Sequence, residues 1–266
     1  MNILDKIIAD KRKEVILKKS VIPISQLENA ALFGSRTLSL SKVLRNNPFG
    51  IIAEHKRRSP SKSEINNSLS VEEVVMGYES AGVCGISILT DTKYFGGSLD
   101  DLLLAKAAVN VPLLRKEFII DEYQILEAKA NGADAILLIA AVLTQKEIGH
   151  LTNFAQSLAL EVLIEIHNVE ELDKAVIPRP DMIGINNRNL KTFEISLEIS
   201  KELISKIPED FVTISESGIS SIDAVRELKT VGFQGFLMGE NFMKTNNPGE
   251  AAKQFIQDLH FTIQQQ

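Results

Sequence analysis

Glu54, Lys56, Lys116, Glu165, Asn186, Glu216 and Ser217 each stand at or just beyond the end of a short apolar run. Charged and amide groups are costly to carry repeatedly at the ends of buried segments unless something uses them. Two lysines and two glutamates, Lys56, Lys116, Glu54 and Glu165, could do general acid and base work, because charges brought together shift one another's proton affinities. Glu54 and Lys56 alone would be explained equally well by a structural salt bridge. Lys116 and Glu165 exceed what such a pair needs.

The runs that carry these groups read as strands over 49–54, 85–90, 111–116, 135–139, 162–166, 182–186, 212–216 and 235–239. Helical patterns fall between them at 71–80, 99–109, 122–131, 145–158, 169–176, 197–207 and 222–231, with a last one near 250–261. Such alternation predicts parallel strands joined by helical crossovers. Gly82, Gly132 and Gly232 follow helical patterns, where a left-handed cap ends a helix. An open doubly wound sheet often carries G-x-G-x-x-G after its first strand, and none is present. Eight units with chemical groups at many strand ends favour an α/β fold of one (β/α)8 TIM barrel, with its chemistry at the carboxyl mouth. Residues 1–47 are expected to form an N-terminal helical extension over one end of the barrel, and 48–266 the barrel itself, as one structural domain.

Side-chain alternation decides which groups face inward. If Glu54 points into the barrel so does Lys56, whereas Ala53 and His55 face the helices or the rim. Two loops could meet an anion. The run Glu54-His-Lys-Arg-Arg-Ser-Pro-Ser-Lys62 is either a solvated basic loop or a lid that captures an anionic substrate. After the last two strands, Ser217, Gly218, Gly239 and Glu240 are expected to line a phosphate site, with a short helix starting near Glu240 and Lys56 adding positive charge. The plainer reading of those glycines is that they only make turns.

The 266 residues carry a net charge of −6 and a pI near 5.4, against general nucleic-acid binding, which needs a basic surface. A hydrophobic fraction of 44% is ample for one sizeable core. Cys84 has no partner for a disulfide and is expected to be a buried thiol in a reduced, cytoplasmic compartment. The four histidines show no zinc spacing, so no metal site is expected. No stretch approaches the roughly 20 apolar residues of a membrane span. Ile3, Leu4, Ile7, Ile8, Val15 and Ile16 recur at helical spacing, interrupted by Asp5, Asp10 and Glu14. The segment is expected to be an amphipathic helix packed on the barrel, not a signal or transit peptide.

The run Ile52-Ala-Glu-His-Lys-Arg-Arg-Ser-Pro-Ser-Lys62 resembles the first-strand signature of the indole-3-glycerol-phosphate synthases. The resemblance continues in order through Leu89-Thr-Asp-Thr-Lys-Tyr-Phe-Gly-Gly-Ser98, Pro112-Leu-Leu-Arg-Lys-Glu-Phe-Ile-Ile-Asp121, Leu163-Ile-Glu-Ile166, Ile183-Gly-Ile-Asn-Asn-Arg-Asn-Leu190 and Ser215-Glu-Ser-Gly-Ile219. That family closes the indole ring of tryptophan from 1-(2-carboxyphenylamino)-1-deoxyribulose 5-phosphate, losing carbon dioxide and water, without a metal or organic cofactor. The resemblance implies Lys116 as general acid on the ribulose carbonyl oxygen and Glu165 as base in the dehydration. It implies Lys56 as partner of the substrate carboxylate, with a share in the dehydration, and Glu54 as the group that orients the lysines. Ser59, Asn186, Arg188, Glu216 and Ser217 would bind substrate, and Ser217, Gly218, Gly239 and Glu240 the phosphate. A monomer is expected, with weak association with other tryptophan-pathway enzymes left open.

This sequence departs from the family pattern at Ser63, where glycine is more frequent, at His55, and at Glu117, where aspartate is more frequent. Glu240 adds negative charge at the phosphate end, so its side chain is expected to turn away from the ligand. Phosphoribosylanthranilate isomerase, a related phosphate-binding barrel, would place a cysteine at the first strand end and an aspartate at the sixth. A non-catalytic barrel would be expected to have lost Lys56, Lys116 or Glu165.

Overall fold

The computed structural model describes residues 3–189 and 193–261. Leu190, which closes one of the motifs above, lies outside them. The chain begins with helices α1 (Ile3–Val21), α2 (Ile24–Glu28) and α3 (Leu40–Arg45). It continues with β1 (Gly50–His55), α4 (Val71–Ser80), β2 (Gly85–Leu89), α5 (Thr92–Phe95), α6 (Leu99–Ala108), β3 (Leu113–Lys116) and α7 (Glu122–Ala130). The middle of the chain supplies β4 (Ala135–Ile139), α8 (Gln145–Ser157), β5 (Glu161–Ile166), α9 (Val169–Ala175), β6 (Met182–Asn186) and α10 (Glu198–Ile204). It ends with β7 (Val212–Glu216), α11 (Ile222–Thr230), β8 (Gly235–Met238), α12 (Glu240–Met243) and α13 (Pro248–Phe261). The eight strands are parallel and close in chain order, with β1 paired to both β2 and β8. This is the expected barrel.

Period-two alternation sorts the strand residues into two cores. Ile52, Leu114, Leu137, Leu163, Ile214 and Leu237 point inward and pack on one another. Their neighbours Ile51, Ile86, Ile136, Val162, Ile183 and Phe236 face the helices. Following the inward rows toward the carboxyl ends leads to Glu54 and Lys56, Lys116, Glu165, Asn186 and Glu216. The helices are held by local signals. Ser70 and Thr144 cap α4 and α8 with reciprocal capping boxes through Glu73 and Glu147. Gly82, Gly132 and Gly232 adopt the left-handed conformation expected after helices.

The three helices before β1 reach both ends of the barrel, not one. Leu40 and Leu44 of α3 are fully buried and belong to the inner core beneath the strands. At the opposite end, α1 lies beside the residues that follow β2 and β3. Its buried face is Ile7, Lys11 and Val15, while Ile16 and Leu17 are exposed. The apolar pattern alone misplaces this face, because Lys11 occupies the core-facing slot. Its Nζ lies 2.8 Å from Glu14, 3.0 Å from Asp91 and 3.0 Å from Glu117, so the ammonium is buried already paired. Although burial opposes the charge, Glu117 and Asp91 hold the Lys11 proton more tightly than that of an ordinary lysine.

Candidate active site

The inward rows end in a cavity of about 450 Å³ at the carboxyl mouth, within the range of small-molecule sites. Glu54, Lys56, Ser59, Lys116, Glu165, Asn186, Arg188, Glu216, Ser217, Gly218, Gly239 and Glu240 all line it. His55, next to Glu54 on β1, is buried on the outer face, where burial and the Arg57 charge push its pKa down to about 4.

Lys116 is the centre of the charge arrangement. Its Nζ contacts Glu216 Oε2 and lies 3.7 Å from Glu165 Oε2. Lys56 Nζ lies 2.8 Å from Glu54 Oε1. Glu54, Glu165 and Glu216 are each at most 5% exposed, so these interactions are little screened by water. Burial works against the Lys116 charge, yet Glu216, Glu165 and Glu54 together hold its proton above the ordinary lysine range. Burial pushes Glu216 up to about 7; Lys116 pulls it back, and Glu165 and Glu54 add to the rise. Burial also opposes ionisation of Glu54, but Lys56 and Lys116 keep its carboxyl below the usual range. The ammonium of Lys116 is therefore the fixed charge of the group, and Glu216 is the member that titrates near neutrality. Gly184 on β6 makes this crowding possible: a Cβ there would sit 2.2 Å from Glu216 Oε1.

The ends of β7 and β8 form the other side of the mouth. Ser217 and Gly218 both adopt positive φ, +67° and +76°, a costly conformation for serine. Asn187, fully buried, secures this turn by donating to Ser215 Oγ at 2.9 Å, Glu216 O at 3.0 Å and Ser217 O at 3.1 Å. Asn186 Oδ1 accepts the Arg188 backbone N–H at 3.0 Å and so orders the start of the following loop. The short helix α12 begins at Glu240, as expected.

Two side-chain placements go beyond the sequence reading. Glu240 lines the cavity, and its carboxylate is paired with Lys62 from the loop after β1. Its charge is tolerated because Lys62 neutralises it, holding the carboxyl below the usual range against partial burial. The arginines of that loop do not aim at the mouth. Arg57 forms a salt bridge to Asp101 and donates to Gly96 O at 3.0 Å, and Arg58 donates to the carbonyls of Thr92 and Lys93. They fasten the loop to the segment after β2, leaving Lys56 to line the cavity and Lys62 to pair with Glu240. Sequence reasoning also missed the apolar half of the cavity. Ile3, Leu4 and Ile7 of α1 face Phe95 and Phe118 there, a wall suited to an aromatic ring. Phe118 could have been found by alternation from Lys116. The helix contribution depends on tertiary docking.

A family profile described as Indole-3-glycerol phosphate synthase matches residues 4–255. The chain belongs to this family. A member from Bacteroides thetaiotaomicron, named indole-3-glycerol phosphate synthase, is 50% identical over 97% of this chain and 99% of its own length. Another from Aliarcobacter butzleri, with the same name, is 40% identical over 97% of this chain and 100% of its own. Among solved structures, thiamine phosphate pyrophosphorylase from Pyrococcus furiosus superposes with a TM-score of 0.61 at 14% identity, covering 82% of this chain and 99% of that one. KGPDC from Streptococcus mutans gives 0.59 at 15% identity, over 79% and 96% of the two chains. These two likenesses carry the fold only; membership of the synthase family rests on sequence. Among the described residues no cluster of His, Cys, Asp and Glu is arranged to hold a metal ion, and no helix is long and apolar enough to cross a membrane.

Proposed function

We propose that this chain is an indole-3-glycerol-phosphate synthase acting on 1-(2-carboxyphenylamino)-1-deoxyribulose 5-phosphate. The observation that carries the reading is one cavity that joins an apolar wall, a Lys116–Glu165–Glu216 cluster and a glycine-rich anion end. The carboxyphenyl ring packs against Phe95, Phe118 and α1, and the phosphate sits at Ser217, Gly218, Gly239 and Glu240. Lys56 meets the substrate carboxylate, with Glu54 holding the lysine in place and Ser59 beside it. Asn186, Arg188 and Glu216 bind the sugar hydroxyls between the two ends.

In the first half of the reaction the ring carbon bearing the carboxylate attacks the ribulose carbonyl carbon. Lys116 donates a proton to the carbonyl oxygen, removing the negative charge that would otherwise develop there. The carbon–carboxylate bond breaks, and its electrons restore the aromatic ring as carbon dioxide leaves. In the second half Glu165 removes a proton from the carbon next to the new alcohol. The hydroxyl departs as water, with the proton it needs supplied by Lys56, since Lys116 has already given up its own. Indole-3-glycerol phosphate results.

The same reading makes the chain a cytoplasmic monomer that needs neither metal nor organic cofactor. The test is an assay for indole fluorescence with purified protein and the carboxyphenylamino substrate, run with and without EDTA. The expected result is product formation indifferent to the chelator; well-folded protein that makes no product would overturn the reading.

A further inference from the structure

His167 follows β5 two residues after Glu165, on the same side of the chain, and does not line the cavity. Its side chain is 13% exposed, and its Nε2 lies 3.6 Å from Glu165 Oε1 with no hydrogen-bond partner. The other ring nitrogen, Nδ1, is 3.1 Å from Glu171 Oε2, which also accepts the His167 backbone N–H at 2.8 Å. Glu171 is itself fixed: its Oε1 accepts from Asn168 Nδ2 at 2.9 Å, and its backbone N–H donates to Asn168 Oδ1 at 2.9 Å. A carboxylate, an imidazole and a second carboxylate thus stand in line from α9 to the cavity wall.

Resting on the reading of Glu165 as the base, we propose that His167, held by Glu171, is a positioning residue that supplies Glu165 with a second cationic partner, on the side away from Lys116. The two oxygens of Glu165 face different cations, Oε2 toward Lys116 and Oε1 toward His167. Once Lys116 has given its proton to the carbonyl oxygen it is neutral, and Glu165 has lost one of the two. The imidazolium remains and keeps the carboxylate ionised and aimed for the dehydration that follows. The groups that face His167 favour this charge state. Burial works against it, but the hydrogen bond to Glu171 on α9 and the charges of Glu165 on β5 and Glu216 on β7 outweigh burial and raise its pKa above that of an ordinary histidine. Lys116 on β3 meets the other oxygen of Glu165.

His167→Asn tests the assignment, because an amide nitrogen can keep the Glu171 bond while the Nε2 side is removed. The expected result is a fall in kcat on the order of 10- to 100-fold, the usual cost of misplacing a reacting group, with KM little changed. Ring-nitrogen NMR of the wild type should show His167 titrating above its ordinary range. Glu171→Gln and Glu165→Gln should each lower that midpoint by about one unit or more. If His167→Asn does not fold, Glu171→Gln serves in its place and should lower kcat in the same direction. Wild-type kcat in these variants, or a His167 midpoint indifferent to both glutamates, overturns the proposal. Full activity in Glu165→Gln would instead remove the reading on which it rests.

Discussion

Replacing Lys116 by methionine keeps the length of the side chain and removes its charge, and the structure sets both consequences. Chemically, one group loses its roles as acid and as stabiliser of the carbonyl oxygen. General acid catalysis contributes typically 10² to 10⁴, so kcat should fall by about 10³ or more. Electrostatically, Glu54, Glu165 and Glu216 lose a shared cation, and Glu216 already titrates at about 7 with Lys116 pulling it down. Without that pull, folded Glu216 keeps its proton to higher pH. The sign follows from proton counting. In the wild type, folded Glu216 finishes losing its proton just above pH 7, so it contributes only a small slope that fades within about one pH unit. In the variant the folded state retains a proton that the unfolded chain has lost, so stability falls as pH rises. One proton over 1.5 pH units amounts to about 2 kcal/mol, and subtracting the wild type's own release leaves about 1.5 kcal/mol, or roughly 3–6 °C in Tm for a chain of this size. Thermal melts at pH 7.0 and 8.5 should therefore show the wild-type-to-variant gap widening by that amount. A gap that is the same at both values would refute the proton assignment, and near-normal turnover would remove Lys116 from the acid role.

Lys11→Met should leave Asp91 without its buried cation and Glu117 with Arg115 alone, 3.6 Å away. Breaking such a pair costs roughly 3–5 kcal/mol, so Tm should fall by roughly 6–20 °C; an unchanged Tm would show that α1 is held by its apolar contacts alone. Asn187→Ala removes the amide that holds the carbonyls of Glu216 and Ser217, each a hydrogen bond worth about 1 kcal/mol net. Glycerol phosphate, used as a competitive inhibitor, should bind about tenfold more weakly to this variant, and an unaltered inhibition constant would place the phosphate elsewhere.

Most of the barrel was legible because its rules are local. A strand buried on both faces still alternates, and stepping two residues from Ile52 to Glu54 and Lys56, or from Leu114 to Lys116, reads the direction of each side chain without the fold. The turns and caps obey the same short-range logic. Lys11 was not legible, since a lysine in a helical pattern reads as solvent-facing until Asp91 and Glu117 arrive from two other strand ends. The pairing of Glu240 was hidden for the same reason: its cation lies 178 residues earlier, at Lys62. Arg57 and Arg58 left the loop after β1 open between a solvated run and an anion-capturing lid, because their partners, Asp101 and the carbonyls of Thr92 and Lys93, are set by the docking of one loop against another. The short helix α5, four residues long, offers too few positions for a helical period to register. Readings that depend on one chain segment survive contact with the structure; those that depend on which segment lies opposite do not.

The division of labour between Lys116 and Glu165 is tested most directly by a single turnover of the Glu165→Gln variant on substrate labelled in its carboxylate. Carbon dioxide release reports ring closure, and indole fluorescence reports dehydration. The account predicts that the variant releases labelled carbon dioxide close to one equivalent per site while indole appears at least 10²-fold more slowly than in the wild type, the scale of a lost general base. Loss of carbon dioxide release together with indole, or indole formed at the wild-type rate, would contradict it.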